Sequence, residues 1–211
     1  MTPMIKRSSI EHFLDELASR SATPGGGSAA ALMGAMGAAL LSMVCNLTIG
    51  KAKYRDVEDE LGAVLARTEQ LRRQLTQMIQ EDVESFGAVM RAYAMPRQTP
   101  AESMLRTQAI QNALREAIQV PLRCCHVCRE IIDLSAVVAQ KGNSNLVSDA
   151  GVAALAAHAA LRSGALNVMI NLKAVSDRQF VASQVAELDE LLSQASAATE
   201  ACDQSVRKAM R

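Results

Sequence analysis

Two long runs of small and apolar residues constrain this chain most, because a helix that is apolar on all sides must be sheltered from water. One runs from Ala29 to Ile49. The other, Gly151 to Leu172, has the same alanine- and glycine-rich character but carries His158, Arg162, Asn167 and Asn171. Either is long enough to cross a bilayer. Alanine and glycine contribute little transfer free energy, however, and the second run is interrupted by polar groups. Ala30, Gly34, Ala38 and Ser42 recur at every fourth position and make one smooth face for a neighbouring helix. The pattern predicts two closely packed buried helices rather than membrane spans.

Each run is entered through a polar loop that contains glycine. The first loop, Pro24-Gly25-Gly26-Gly27-Ser28, is costly as a mere connector, since glycine loses the most backbone entropy on ordering. Its gain is close approach of backbone N–H groups to a ligand or another chain. Ser28 is the expected N-cap. The first helical turn beyond it offers unpaired donors and the positive end of a dipole, a corner that can hold an anion or carboxylate. A flexible turn before a buried helix is the alternative.

The second loop spans Lys141 to Val147, with Ser148 as the expected N-cap and Asp149 in the first turn. If the two helices pack side by side, the glycine loop and the Asn143–Asp149 loop can lie near each other. They would then enclose backbone donors, amides, a hydroxyl and one carboxylate. Asp149 taken alone is equally well explained as a capping partner.

Periodicity elsewhere is helical throughout. A first helix is expected over Ser9–Ser19, with Ser8 and Glu11 at capping-box spacing. The first apolar helix covers about Ser28–Thr48. A long amphipathic helix follows over Val57–Tyr93, where Leu61, Val64, Leu65, Leu71, Leu75, Met78 and Ile79 repeat at threes and fours. Pro96 and Pro100 break it. Helices are then expected over Ala101–Gln119 and, with Pro121 in its first turn, to Gln140. The second apolar helix, Asp149–Leu172, and a last amphipathic one over Asp177–Met210 complete an all-α bundle. The two small-residue helices stand at its centre. No repeat or composition shift divides residues 1–211, which are read as one domain.

Composition narrows the function classes. Lys+Arg and Asp+Glu both number 22, so no net field attracts nucleic acid or an acidic membrane surface. Aromatic residues are 2% with no tryptophan, which removes the stacking platform of single-strand binders. Five cysteines and an N-terminus without an apolar leader core point to reduced thiols and a cytoplasmic location.

Among titratable groups, Asp82 sits inside the long helix between Glu81 and Glu84, with Met78, Ile79, Val83 and Phe86 around it. A carboxylate at the edge of an apolar face tends towards a raised pKa and suits general acid/base work. A solvated position beside other acids is the plainer account. Lys51 and Lys53 follow the first apolar helix and either complement its dipole or bind an anionic tail. Cys124-Cys125-His126-Val127-Cys128 lacks a second Cys/His pair at ligand spacing, so no metal site is expected. His158 reads as a core histidine.

Several segments together resemble the cyclodeaminase/cyclohydrolase family of folate enzymes. They are Phe13–Ala18, Thr23–Ala31, Ser42–Lys51, Asp82–Phe86, Val120–Leu122, Gly142-Asn143 with Ser148-Asp149, and Asn167–Leu172. The likeness runs in order along essentially the whole chain. It implies an all-α fold, a homodimer and a folate site near the subunit interface. It also implies that Asp82 is the proton donor and acceptor, with Asp149 beside it in the catalytic set. Substrate binding would fall to Pro24, Gly25, Gly26, Gly27, Ser28, Asn46, Lys51, Lys53, Asn143 and Ser148.

The Asn46–Lys51 and Cys124–Glu130 stretches look closer to the cyclohydrolase branch. The implied activity is hydrolysis of 5,10-methenyltetrahydrofolate, with no cofactor beyond the tetrahydrofolate substrate. Formimidoyltetrahydrofolate cyclodeamination is the alternative, and a non-catalytic folate-binding helical dimer is a third reading.

Overall fold

The computed structural model describes residues 5–211; residues 1–4, part of the N-terminal segment read above for a leader, lie outside it. Six α-helices are present among the described residues: α1 (Ile10–Ala18), α2 (Gly26–Asn46), α3 (Glu58–Tyr93), α4 (Pro100–Lys141), α5 (Val147–Leu172) and α6 (Arg178–Ala209). Short 3₁₀ turns at Ile5–Arg7, Ala52–Val57 and Ser144–Leu146 connect them. The all-α architecture expected from periodicity is what the chain adopts.

Helices α2 to α5 form an up-down-up-down four-helix bundle. The register follows from contacts along each pair. Ser28 meets Asp82 and Ser42 meets Thr68, so α2 and α3 are antiparallel. Glu81 pairs with Arg123 and Glu60 with Lys141, so α3 and α4 are antiparallel too. Gly26 lies against Asn167 while Gly37 lies against Ala153, which makes α2 and α5 antiparallel neighbours. Helix α6 packs back along α4 and α5, where Gly151 meets Val206 and His126 bonds Glu187 at 2.8 Å.

The core holds the apolar α3 positions anticipated from spacing, including Leu61, Leu71 and Leu75, together with Ile131 and Ile132 of α4 and Leu161 of α5. The two small-residue helices sit at the centre because glycine allows contact at the seams. A β-carbon at Gly34 would stand 2.7 Å from the Cys128 sulfur, and one at Gly37 would stand 2.9 Å from the Ala153 carbonyl. The buried thiols thus fill space that the glycines leave. Both α2 and the segment Ser144–Leu172 are long and apolar enough to cross a membrane; here they pack against each other and against α3 and α4.

Four local expectations are corrected. The first helix is capped by Ser9, whose hydroxyl accepts the His12 N–H, and not by Ser8. Helix α2 begins at Gly26 with Gly25 as N-cap, because Ser28 turns its side chain inward instead of back to its own helix. Helix α5 begins at Val147, which puts an exposed Ser148 inside its first turn and not at the cap. Pro121 does not start a new helix; α4 runs unbroken through it. Ile118, Leu122 and Cys125 continue the buried stripe on both sides of the proline. That packing offsets the roughly 3 kcal/mol a mid-helix proline costs.

One face remains unpartnered. Helix α2 contains no charged residue, yet Met36 and Met43 on it and Leu47 at its C-cap are exposed. Helix α5, beside it, exposes Val152, Leu155, Leu166 and Ile170.

Candidate active site

Helix α2 starts later along the bundle than its neighbours end. Beyond its N-terminus α3, α4 and α5 continue, and the place a fourth helix would occupy is a cavity of about 320 Å³. Its walls are Asp82, Ser85, Phe86 and Val89 from α3, Ala117 and Pro121 from α4, and Asn167, Ile170 and Asn171 from α5. The floor is Gly25, Gly26 and Gly27, approached through a loop that carries a cis Thr23–Pro24 peptide. No side chain caps α2, so the Gly26 and Gly27 amides at its first turn are without intrahelical partners. They and the helix dipole favour negative charge there.

Asp82 is the ionisable group of this cavity. Its Oδ2 accepts two hydrogen bonds at 2.8 Å, one from the Ser28 N–H and one from the Ser28 hydroxyl. Burial pushes its pKa up, and the two Ser28 donors pull it partly back down. Gly27 lies directly on the carboxylate: a β-carbon there would stand 2.6 Å from Asp82 Cγ. The result is a carboxyl group whose burial holds its pKa above the ordinary carboxylate range, the direction that suits acid/base work.

A larger cleft of about 790 Å³ runs over the outer surface between α3 and α4, lined by residues such as Arg73, Gln77, Arg123 and His126. Its Arg123 and His126 are engaged by Glu81 and Glu187. The smaller cavity instead holds a desolvated carboxyl beside backbone amides without intrahelical partners.

Of the sequence-expected residues, Gly25, Gly26, Gly27, Ser28 and Asp82 come together here; Pro24 is buried in the approach loop. Asn46, Lys51, Lys53, Asn143, Ser148 and Asp149 do not join them within one chain. They gather at the other end of α2, about 30 Å away at 1.5 Å per residue. The expected meeting of the glycine loop with the Asn143–Asp149 loop fails because α2 and α5 are antiparallel.

At that far end, Asn143 is buried and accepts the Asn145 N–H. Its own N–H donates to Thr48 Oγ1 and its Nδ2 to the Leu47 carbonyl. Gly50, at φ 81°, turns the chain out of α2 in a conformation that favours glycine. Tyr54 then accepts the Ser144 N–H at 3.0 Å and lies 3.4 Å from its hydroxyl. Ser144's hydroxyl and amide, with Lys53 alongside, lower the phenol pKa to about 8.

Sequence reasoning passed over Ser85, Phe86, Pro121, Asn167 and Asn171 as site residues. A usable signal existed for the asparagines: two amides spaced i, i+4 in an otherwise apolar helix share a face and need polar company.

A family model described as formiminotransferase-cyclodeaminase matches residues 9–190. The chain belongs to that family. A methenyltetrahydrofolate cyclohydrolase from Methylorubrum extorquens is 56% identical over 204 residues, covering 97% of this chain and 98% of the relative. A formimidoyltransferase-cyclodeaminase from Rattus norvegicus is 35% identical; 89% of this chain matches 35% of that longer protein. Among solved structures, a formiminotetrahydrofolate cyclodeaminase from Thermotoga maritima superposes with a TM-score of 0.80 at 36% identity, covering 97% of this chain and 96% of that one. Family membership agrees with the whole-chain resemblance read from the motifs.

Proposed function

We propose that this protein is a cytoplasmic methenyltetrahydrofolate cyclohydrolase that acts as a homodimer, with residues 1–211 as one domain and no metal or further cofactor. The observation that carries the chemistry is Asp82, a single desolvated carboxyl facing a cavity beside unpaired helix N-terminal amides. The 56% identity over nearly the full length of a cyclohydrolase supports hydrolysis as the direction of that chemistry.

The methenyl carbon bridges two nitrogens as an amidinium cation and is already electrophilic. Asp82 takes a proton from water as its oxygen bonds to that carbon. The carbinol then collapses: the carbon–N5 bond breaks, N5 receives the proton held by Asp82, and the hydroxyl loses its proton as the formyl carbonyl forms. One water is consumed and one proton leaves to solvent, giving 10-formyltetrahydrofolate. A carboxyl that alternates between base and acid is what these two steps require. The Gly25–Gly27 corner, Asn167 and Asn171 would hold the ligand's polar edges, and Phe86 and Ile170 its ring faces.

The uncovered α2/α5 face supports a dimer. A two-fold axis lying in the plane of that face and perpendicular to α2 would set the partner's α2 antiparallel to this one. The C-terminal end of one α2 would then lie over the N-terminal end of the other. Asn46, Lys51, Lys53, Asn143, Ser148 and Asp149 would thereby reach the Asp82 cavity from the second subunit. There the lysines can meet the anionic p-aminobenzoyl-glutamate end and Asp149 the attacking water.

Cyclodeamination is the second reading, favoured by the Thermotoga maritima structure of similar length and fold. It runs to the same cation: N10 attacks the formimino carbon, the formimino nitrogen takes the N10 proton and one from Asp82, and it leaves as ammonia. The test follows the methenyl chromophore with purified protein in two cuvettes. Catalysed loss from methenyltetrahydrofolate, with no gain from 5-formiminotetrahydrofolate, is the expected result. The reverse would make the protein a cyclodeaminase, and ligand-induced stabilisation without turnover would make it a binding protein.

A further inference from the structure

We propose that Ser28 is the positioning residue that lets Asp82 exist in both protonation states, confining proton exchange with the substrate to Asp82 Oδ1. This rests on the acid/base reading of Asp82 given above.

The argument begins with counting protons. The Ser28 hydroxyl carries one, and two acceptors lie within its reach: Asp82 Oδ2 at 2.8 Å and the Ile79 carbonyl at 3.2 Å. Ser28 is fully buried, so water cannot stand in for either partner. When Asp82 is ionised, the hydroxyl and the Ser28 N–H both donate to Oδ2 and hold the charge on that oxygen. When Asp82 is protonated, the need for the second donor falls. The hydroxyl can then turn to the Ile79 carbonyl, which has a lone pair to spare beside its helical bond. Both states keep the buried hydroxyl bonded, so neither incurs the cost of a stranded polar group.

Oδ1 differs from Oδ2 in having no protein donor while belonging to a side chain that lines the cavity. The two Ser28 bonds hold Oδ2 in place, while Oδ1 lies over Gly27, where a β-carbon would collide with it first. One oxygen is therefore tethered, and the other is left without a protein donor on a side chain that lines the cavity. On this reading a water or N5 placed in the cavity exchanges its proton with the second, since the first is already saturated by Ser28.

The test uses the full-length protein with Ser28→Ala and, separately, Asp82→Asn. Removing the hydroxyl takes away one of two donors to the ionised form. The acid limb of the kcat/KM profile should then move to higher pH, because Asp82 now needs a higher pH to become a base. Turnover should fall about tenfold or more, with KM changed less than about threefold. Carbon-detected NMR titration of the Asp82 carboxyl in ligand-free protein should shift the same way. Ser28→Thr, which keeps the hydroxyl, should restore the wild-type titration if it folds; the alanine variant removes only one atom and stands as the primary test.

A Ser28→Ala protein with unmoved titration and an unmoved acid limb would overturn the proposal, whatever its melting temperature. An active Asp82→Asn protein would instead remove the acid/base reading. The titration shift in Ser28→Ala would still report the Ser28–Asp82 coupling in that case.

Discussion

Gly27 packs so tightly on Asp82 that position 27 has no room for a β-carbon: it would stand 2.6 Å from the carboxyl carbon and 2.9 Å from Oδ2. The neighbouring Ser28 grips the same carboxylate through two hydrogen bonds. The glycine loop is therefore a mould for one side chain as well as an opening for a ligand.

Gly27→Ala should displace Asp82 from Ser28 and from the cavity. Misplacing an acid/base group by about 1 Å can cost on the order of a hundredfold in rate, and a kcat loss of that size is expected here. Steady-state kinetics beside a near-wild-type helical circular-dichroism spectrum would check it. Retention of most activity would show that Asp82 need not hold this position.

Asp82→Asn should lower turnover by about a hundredfold or more and yet raise thermal stability at neutral pH. The sign follows from linkage. Burial raises the folded-state pKa of Asp82 above its unfolded value. The folded state therefore favours the protonated form, and that stabilisation is full below the unfolded pKa and lost as pH rises through the folded one. An amide carries no charge at any pH, so its advantage should be present near neutrality and shrink on acidification. Melting temperatures of both proteins across pH 4–8 test this; a constant difference would contradict it.

Two glycines should respond to alanine with opposite signs. At Gly37 a β-carbon meets the Ala153 backbone carbonyl at 2.9 Å, and α2 cannot move away without parting from α5. Overpacking of this kind costs about 1–3 kcal/mol. At Gly62, within α3, a β-carbon meets nothing within 4 Å. There alanine should stabilise by about 0.5–1 kcal/mol through helix propensity. Urea denaturation of the pair gives both values against one reference.

Met36→Glu would place a charge at the centre of the exposed α2 stripe. It should convert dimer to monomer in sedimentation, and the activity should fall with it because the lysine-bearing end of α2 would no longer reach a second cavity. A fully active monomer would rule out the cross-subunit arrangement.

Much of this arrangement is legible from residue order alone. The stripe of Leu61, Val64, Leu71, Leu75 and Ile79 identifies a long amphipathic α3, and those side chains are buried. The apolar neighbours around Asp82 leave a solvated position the plainer account; the family resemblance is what singles it out, and it lines the cavity. Ser28 was legible as a polar residue at a helix start, but not as a ligand of Asp82. A serine there can cap its own helix or reach across, and only the presence of α3 chooses.

Composition and periodicity were enough to establish helices, a small-residue centre and a glycine-lined corner, because those properties depend on neighbours three or four places along the chain. What they could not decide is parity. Reading Pro121 as a break adds one helix between α2 and α5, and one extra reversal would make them parallel, with both entrance loops at the same end. In the folded chain α4 passes straight through Pro121, three reversals remain, and the loops stand at opposite ends of α2. The choice lies in the burial of Ile118, Leu122 and Cys125 against other helices. That burial is a sum of contacts between residues far apart in sequence, and no local pattern contains it.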